Sequence, residues 1–237
     1  SLHNEDYIAE KGLCVGDTVL LRKAGDIIPE VVSVVRHAPG AQPYRMPRLC
    51  PSCGGEAVRE PGEAAVRCTN PECPAQLLRN LIHYASRDAM DIDGLGPAVV
   101  EQLVQKNHVA SPADLYRLTA EEWEQNDRMG KLSSQNLVRA IAKSKENDLS
   151  RLIFALGIRH VGQKAAKLLA ERFGTADALM QATQEEILSI EGFGEIMALS
   201  VQQFFRQPQS VELMEKLKAC GVNMAEKQRQ RGELFAG

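Results

Sequence analysis

The feature that most constrains this chain is a period. Short glycine turns recur in "DGLGPAVVEQL", "RMGKLSSQNL", "HVGQKAAKLL" and "EGFGEIMALS". Their aligned glycines, Gly96, Gly130, Gly162 and Gly194, stand 34, 32 and 32 residues apart. A repeat of that size marks a supersecondary unit that cannot bury its apolar face alone and stacks on its neighbours. Each turn leads into apolar residues at helical spacing. The same spacing runs through "AQLLRNLIHYA", "AVVEQLVQK", "SQNLVRAIAKSK", "LIFALG", "KAAKLLAERF", "QEEILSI", "ALSVQQFF" and "VELMEKLKACG". The spacing predicts an all-α domain of four repeats over residues 75–228.

A glycine turn placed directly before a helix has a chemical use. Glycine allows a left-handed turn and lets a ligand's backbone approach closely. The helix behind it offers unpaired N–H groups and the positive end of its dipole. Such a turn can hold a phosphate without reading any base, which is the logic of the helix-hairpin-helix. Phosphate binding is most expected at the third turn, where Gly162 is flanked by Arg159, Lys164 and Lys167. The first turn (Gly94, Gly96) lies in an acidic stretch. The fourth (Gly192, Gly194) sits beside Glu191 and Glu195, so both would act through backbone N–H groups or only through packing. The second reads Arg128-Met129-Gly130, lacks the first glycine and keeps Lys131. The bland alternative for all four is a plain helix–helix packing turn.

Charge supports a local face and not a global one. The net charge is −3. Residues 88–127 carry nine acids against Lys106 and Arg117, whereas residues 151–172 carry Arg151, Arg159, Lys164, Lys167 and Arg172 against Glu171 alone. A near-neutral total can contain a basic face, and binding needs only the face.

Four of the six cysteines cluster as Cys50-Pro-Ser-Cys53 and Cys68-Thr-Asn-Pro-Glu-Cys73, separated by fourteen residues. Two thiolate pairs on tight turns, helped here by Pro51, Gly54, Gly55, Asn70 and Pro71, close a tetrahedral zinc site with no position left for water. The site is expected to be structural, with one zinc per chain. A rubredoxin-like iron site is the rival, and four reduced core cysteines fit poorly where the module has little other core. His83, ten residues past Cys73, reads as a helix-surface or core histidine. Cys14 and Cys220 stand alone. The pattern suits a reducing compartment better than disulfides.

Residues 1–36 read as β, with "DTVLLRKAG" and "IIPEVVSVVRH" around a Gly-Asp turn and Pro29 marking an edge, a bulge or a strand start. Residues 37–49 hold three prolines and read as a stiff linker. In "RKAGDIIPE", Lys23 invites a reading as a nucleophile, but such a lysine needs burial or a cation to lower its pKa, and only Arg22 is near in sequence. The composition, 44% hydrophobic and 25% charged, is that of a globular protein of one large domain or two to three small ones. No apolar run approaches the ~18 residues of a membrane span, so no membrane partner is expected. The start at Ser1 reads as a cut from something longer, or as a processed terminus.

The order of these parts resembles the region that follows the nucleotidyltransferase domain in bacterial NAD-dependent DNA ligases. The resemblance rests on "SLHNED", "GDTVLLRKAGDIIPEVV", "PYRMPRLCPSCGG", "RCTNPECPAQ", "MDIDGLG", "SKENDLSRLIFALGIRHVG" and "EGFGE", which fall in one order over nearly the whole chain. It implies a multidomain α and β protein: a small OB-fold β-barrel at 1–48, a four-cysteine zinc finger at 49–74, an all-α helix-hairpin-helix domain of four repeats at 75–228, and a linker at 229–237 toward a BRCT domain. The family's covalent lysine lies in Lys-x-Asp-Gly, and no such tetrapeptide occurs here; "DIDG" has Asp91 in that place. Arg128 departs from the glycine the family tends to have.

By the resemblance, the intact enzyme uses NAD and magnesium to seal nicks in duplex DNA through AMP intermediates, in replication and repair. This chain would be its clamping half, without catalytic residues and inactive alone. Its partners would be nicked double-stranded DNA and the nucleotidyltransferase and BRCT domains of the same protein. It would work as a monomer in the bacterial cytoplasm, at the nucleoid. Arg22 and Lys23 would touch phosphate or nucleotide and Asp26 would shape their loop; a solvated β-turn is the alternative there. The DNA contacts expected overall are Arg22, Lys23, Gly94, Gly96, Lys131, Arg159, Gly162, Lys164, Lys167, Gly192 and Gly194. Two other classes compete: a free-standing helix-hairpin-helix and zinc DNA-binding module of another repair protein, and a partner-binding fragment whose hairpins only pack.

Overall fold

The structure, a computed structural model, describes residues 2–25, 27–59, 62–68, 73–106 and 108–227. They form two units that divide between Ala75 and Gln76. The expected linker at 229–237, residue 228, Asp26, and the turn residues Asn70 and Pro71 lie outside the described residues.

The N-terminal unit opens with helix α1 (Glu5–Glu10), where β structure was expected. Asn4 starts it by accepting from the N–H groups of Asp6 and Tyr7. Strands β1 (Thr18–Ala24) and β2 (Ile28–Arg36) pair antiparallel from Thr18↔Arg36 to Ala24↔Ile28, with register shifts at Thr18/Val19 and Leu20/Leu21. Gly25, at φ +62°, makes the left-handed step of their turn, and Pro29 sits opposite Lys23. The core is small: Ile8, Leu13 and Val31, with Val19, Val34 and Met46 partly buried against them. The Tyr7 hydroxyl donates to the Val31 carbonyl at 2.6 Å and ties α1 to β2.

The expected OB barrel is not closed. Among the described residues this sheet has two strands, joined by one isolated bridge from Cys14 to Pro43. A barrel needs every strand edge paired, and two strand-forming runs cannot supply that. Leu20, Leu21, Ile28 and Val35 are exposed as a result. Residues 37–49 do not run free as a linker, since the Tyr44 N–H donates to the Leu13 carbonyl. The second small sheet pairs β3 (Ala57–Arg59) with β4 (Val66–Cys68). Arg59 grips Asp6 with both terminal nitrogens, which ties this module to α1 and holds the Asp6 carboxyl below its usual range.

The helical unit contains α2 (Pro74–Ala85), α3 (Pro97–Gln105), α4 (Ala120–Glu124), α5 (Lys131–Ser144), α6 (Leu149–Ala155), α7 (Gln163–Phe173), α8 (Ala176–Met180), α9 (Gln184–Leu188), α10 (Glu195–Arg206) and α11 (Pro208–Ala219). One continuous core runs through them, with Leu81, Tyr84, Leu103, Trp123, Leu152 and Leu169 fully enclosed. No helix is long and apolar enough to cross a membrane among the described residues.

Polar groups in that core form a chain. The Tyr84 and Tyr116 hydroxyls lie 2.9 Å apart, Tyr116 meets the Ser144 hydroxyl at 3.1 Å, and Ser144 donates to the Ile141 carbonyl. Burial pushes the Tyr84 hydroxyl well above its ordinary range, so it stays protonated and able to donate. Tyr116→Phe breaks the chain in the middle and strands the buried Tyr84 hydroxyl. A loss of about 1–3 kcal/mol in unfolding free energy is expected in a denaturant titration. His83 is half-buried, its Nε2 2.7 Å from the Phe154 carbonyl and its ring edge-on to Phe154.

Candidate metal centre and nucleic-acid interface

The four clustered cysteines converge. Cys50 and Cys53 flank a tight turn in which the Gly54 N–H donates to the Cys50 carbonyl and the Cys50 N–H to the Gly55 carbonyl. Cys68 ends β4 and Cys73 stands just ahead of α2. All four sulfurs lie within 4.8 Å of one another. Cys50 and Cys73 are 3.8 Å apart, and Cys53 and Cys68 are 3.5 Å apart. Tetrahedral zinc with Zn–S bonds of about 2.3 Å has sulfur–sulfur edges of about 3.8 Å, close to the two sulfur–sulfur distances here. The Gly55 N–H points at the Cys53 sulfur at 3.4 Å, the kind of outer contact that orients a thiolate ligand. Four thiolates leave no coordination position for a substrate.

The glycine turns share one geometry. Gly96, Gly130, Gly162 and Gly194 are the N-caps of α3, α5, α7 and α10. Two residues before each of them the backbone is left-handed: Gly94 at φ +85°, Arg128 at +64°, His160 at +63° and Gly192 at +90°. The residue between is turned inward, fully at Leu95, Val161 and Phe193 and partly at Met129. The missing first glycine of the second turn is therefore no structural departure, because Arg128 adopts the same conformation.

The N-cap glycines are not demanded by the fold. Their φ lies between −79° and −100° with extended ψ, which any residue adopts. A Cβ built at any of the four meets nothing within 4 Å. None of these N-caps has a side-chain acceptor of its own, although at α5 the Ser133 hydroxyl reaches back and accepts from the Gly130 N–H at 2.9 Å. By contrast, Asn4, Thr119, Thr175 and Thr183 cap α1, α4, α8 and α9 through their side-chain oxygens. The glycines thus offer no side-chain acceptor to the first N–H groups behind them.

The basic residues are placed unequally. Lys131 and Lys164 are exposed in the first turns of α5 and α7, and Arg159 is exposed ahead of the third turn. Lys167 stands 3.8 Å from Glu171. Arg151, in the basic stretch, works internally by donating to the Ala89 and Arg87 carbonyls. In the other unit Arg22 pairs with Glu30 across the strands at 2.9 Å, and Lys23 is exposed opposite Pro29. Two residues beside the turns carried no expectation. Leu132 and Ile196, each 70% exposed, occupy the same position two residues past Gly130 and Gly194. An apolar residue on the solvent side of a helix start was the signal for them.

A four-thiol module followed by an all-helical unit with repeated glycine turns defines a helix-hairpin-helix protein of the zinc-finger-bearing kind. The family models agree: the helix-hairpin-helix motif matches residues 151–214, the NAD-dependent DNA ligase OB-fold domain residues 1–42, and the NAD-dependent DNA ligase C4 zinc finger domain residues 50–75. These matches make the chain similar to the OB-fold, zinc-finger and helix-hairpin-helix parts of NAD-dependent DNA ligases. It is 55% identical over 227 residues to a DNA ligase of Acetivibrio thermocellus and 53% identical over 228 residues to one of Symbiobacterium thermophilum. Each match covers 94% of this chain and 34% of the relative. A DNA ligase of Carboxydothermus hydrogenoformans is 55% identical over 225 residues. The chain spans about a third of the length of these relatives.

Proposed function

We propose that this chain is the DNA-clamping part of an NAD-dependent DNA ligase and holds nicked duplex DNA by its sugar-phosphate backbone without reading sequence. The observation that carries the reading is the set of four glycine N-caps that neither φ nor packing requires, each giving the N–H groups of the helix behind it no side-chain acceptor from the N-cap. A phosphate oxygen is the partner such groups suit best. The helical unit is read as four hairpin repeats of this kind, with Gly94, Gly96, Gly162, Gly192 and Gly194 giving backbone contacts and Lys131, Arg159, Lys164 and Lys167 giving charge. Arg22 and Lys23 add contacts from the OB-fold unit, Arg22 on exchanging Glu30 for phosphate. The zinc finger is structural. NAD, magnesium and the AMP intermediates belong to the intact enzyme, together with its nucleotidyltransferase and BRCT domains, as a monomer at the bacterial nucleoid.

The test is binding to nicked duplexes of unrelated sequence, read by fluorescence anisotropy. Equal affinities are expected, falling steeply with salt because backbone contacts release counterions. A strong sequence preference, or no binding at low salt, would refute the reading. With NAD and magnesium the chain alone is expected to form no AMP adduct, since it has no Lys-x-Asp-Gly. Intact-mass measurement checks this, and an added adenylate would overturn it.

A further inference from the structure

The N-terminal unit buries few apolar side chains, so its polar staples matter more than in a large core. One of them is a second convergent set of donors. The Cys14 sulfur, a carboxylate oxygen of Asp17 and a ring nitrogen of His37 lie within 4.8 Å of one another. The sheet brings them together: Asp17 immediately precedes β1 and His37 immediately follows β2, and the Thr18↔Arg36 pairing sets them side by side. Cys14 is positioned three residues back, by its bridge to Pro43.

The carboxylate is fixed. The Asp17 side chain is 2% exposed. One of its oxygens accepts from the Cys14 N–H at 2.9 Å and the other from the Ala38 N–H at 3.1 Å. The His37 Nδ1 stands 3.0 Å from the first of these oxygens. That ring is 59% exposed, so it can turn by small amounts without disturbing packing. Cys14 is half-buried, its sulfur near the Gly12 carbonyl, and it lines a cavity of about 320 Å³ with Leu13, Val15 and Tyr44. The donors thus comprise one locked ligand, one adjustable ligand and one thiol with free space beside it.

We propose that Cys14, Asp17 and His37 form a second metal site on this chain, one that takes a divalent transition ion, with zinc the best fit. A sulfur, an imidazole and a carboxylate suit zinc and exclude magnesium and calcium, which need oxygen donors. The ion takes the place of the hydrogen bond between His37 Nδ1 and Asp17. The imidazole binds through Nδ1 as the tautomer with its one proton on Nε2, the proton moving from Nδ1 by way of solvent, and the Cys14 thiol releases its proton to solvent. The N–H groups of Cys14 and Ala38 become the outer shell that orients the carboxylate. Three protein ligands leave the fourth position open, unlike the closed four-cysteine site, so the ion here exchanges readily. Its structural effect is to clamp the start of β1 to the end of β2, next to the register shift at Thr18/Val19.

The test is metal stoichiometry on the full chain with the four-cysteine site filled. At equilibrium dialysis against micromolar free zinc, two zinc ions per chain in excess of the dialysate are expected. Cys14→Ser and His37→Ala should each return the count to one. His37→Ala removes an exposed ring and leaves the backbone bonds of Asp17 in place, so it tests the site even if Cys14→Ser proves unstable. With Co²⁺ as the probe, a thiolate-to-metal absorption band should appear with the second equivalent and be absent in Cys14→Ser. One zinc per chain in the unsubstituted protein, or two retained in His37→Ala, would overturn the site and leave Asp17 as a loop staple only.

Discussion

Cys53→Ser is expected to unfold residues 50–73 while the helical unit stays folded. The module has almost nothing else to hold it. β3 and β4 are three residues each. Among its described residues the buried side chains are Cys50 and Cys73, two of the ligands themselves. Its folding free energy is therefore metal-binding free energy, about 10–16 kcal/mol in zinc-finger peptides near neutral pH. Serine keeps the size of the side chain but is a far poorer zinc ligand, and the Gly55 N–H loses its sulfur acceptor. Metal analysis should show one zinc fewer per chain than the unsubstituted protein. Limited proteolysis should cut between residues 54 and 67. The far-UV helical signal should persist, because the helical unit has its own continuous core. A protease-resistant module without its zinc would show that the cysteines are a packed core and not a metal centre.

What could be read in the sequence follows from range. The cysteine pairs and the glycine period are local patterns with fixed spacing; the four cysteines come together in one cluster, and each aligned glycine starts a helix. The long helices were legible for the same reason, since α5 and α7 carry several turns of apolar period. Of the five-residue helices α4, α8 and α9, only α9 lay in a stretch read as helical, "QEEILSI"; α4 and α8 are too short for a period to show. Capping residues were a usable signal for α4 and α9, because Thr119–Glu122 and Thr183–Glu186 form reciprocal capping boxes. Helix α1 hid among polar residues, with Ile8 its one buried side chain. Contacts of long sequence separation stayed invisible. Tyr84 with Tyr116, and Asp17 with His37, meet only once the chain is folded. The left-handed backbone at Arg128 and His160 was hidden for another reason, since neither residue type announces such a conformation.

The glycine turns allow binding to be separated from folding. Gly162→Ser places a favoured capping residue at the start of α7. Its φ of −84° and ψ of −179° suit serine, and a Cβ there meets nothing within 4 Å. Thermal stability should stay the same or rise slightly, by a few tenths of a kcal/mol. DNA binding should suffer. The added Cβ occupies the space through which a phosphate would approach, and the serine oxygen takes a first-turn N–H that the phosphate would otherwise use. Losing one hydrogen bond to a charged group costs about 1.5–3 kcal/mol, so affinity for nicked duplex should fall by roughly tenfold or more. The salt dependence distinguishes this loss from a loss of charge. Gly162→Ser removes no cation, so the slope of log affinity against log salt should stay the same. Lys164→Gln should lower that slope by about 0.9 for its single phosphate, with a smaller effect at high salt. If Gly162→Ser binds as tightly as the parent, the third turn is a packing element, and the open N–H groups of α7 face water in the complex. If stability falls together with affinity, the glycine serves the fold after all, against the vacant space around it. Unchanged stability, weaker binding and an unchanged salt slope together leave a backbone-to-phosphate contact at Gly162 as the explanation.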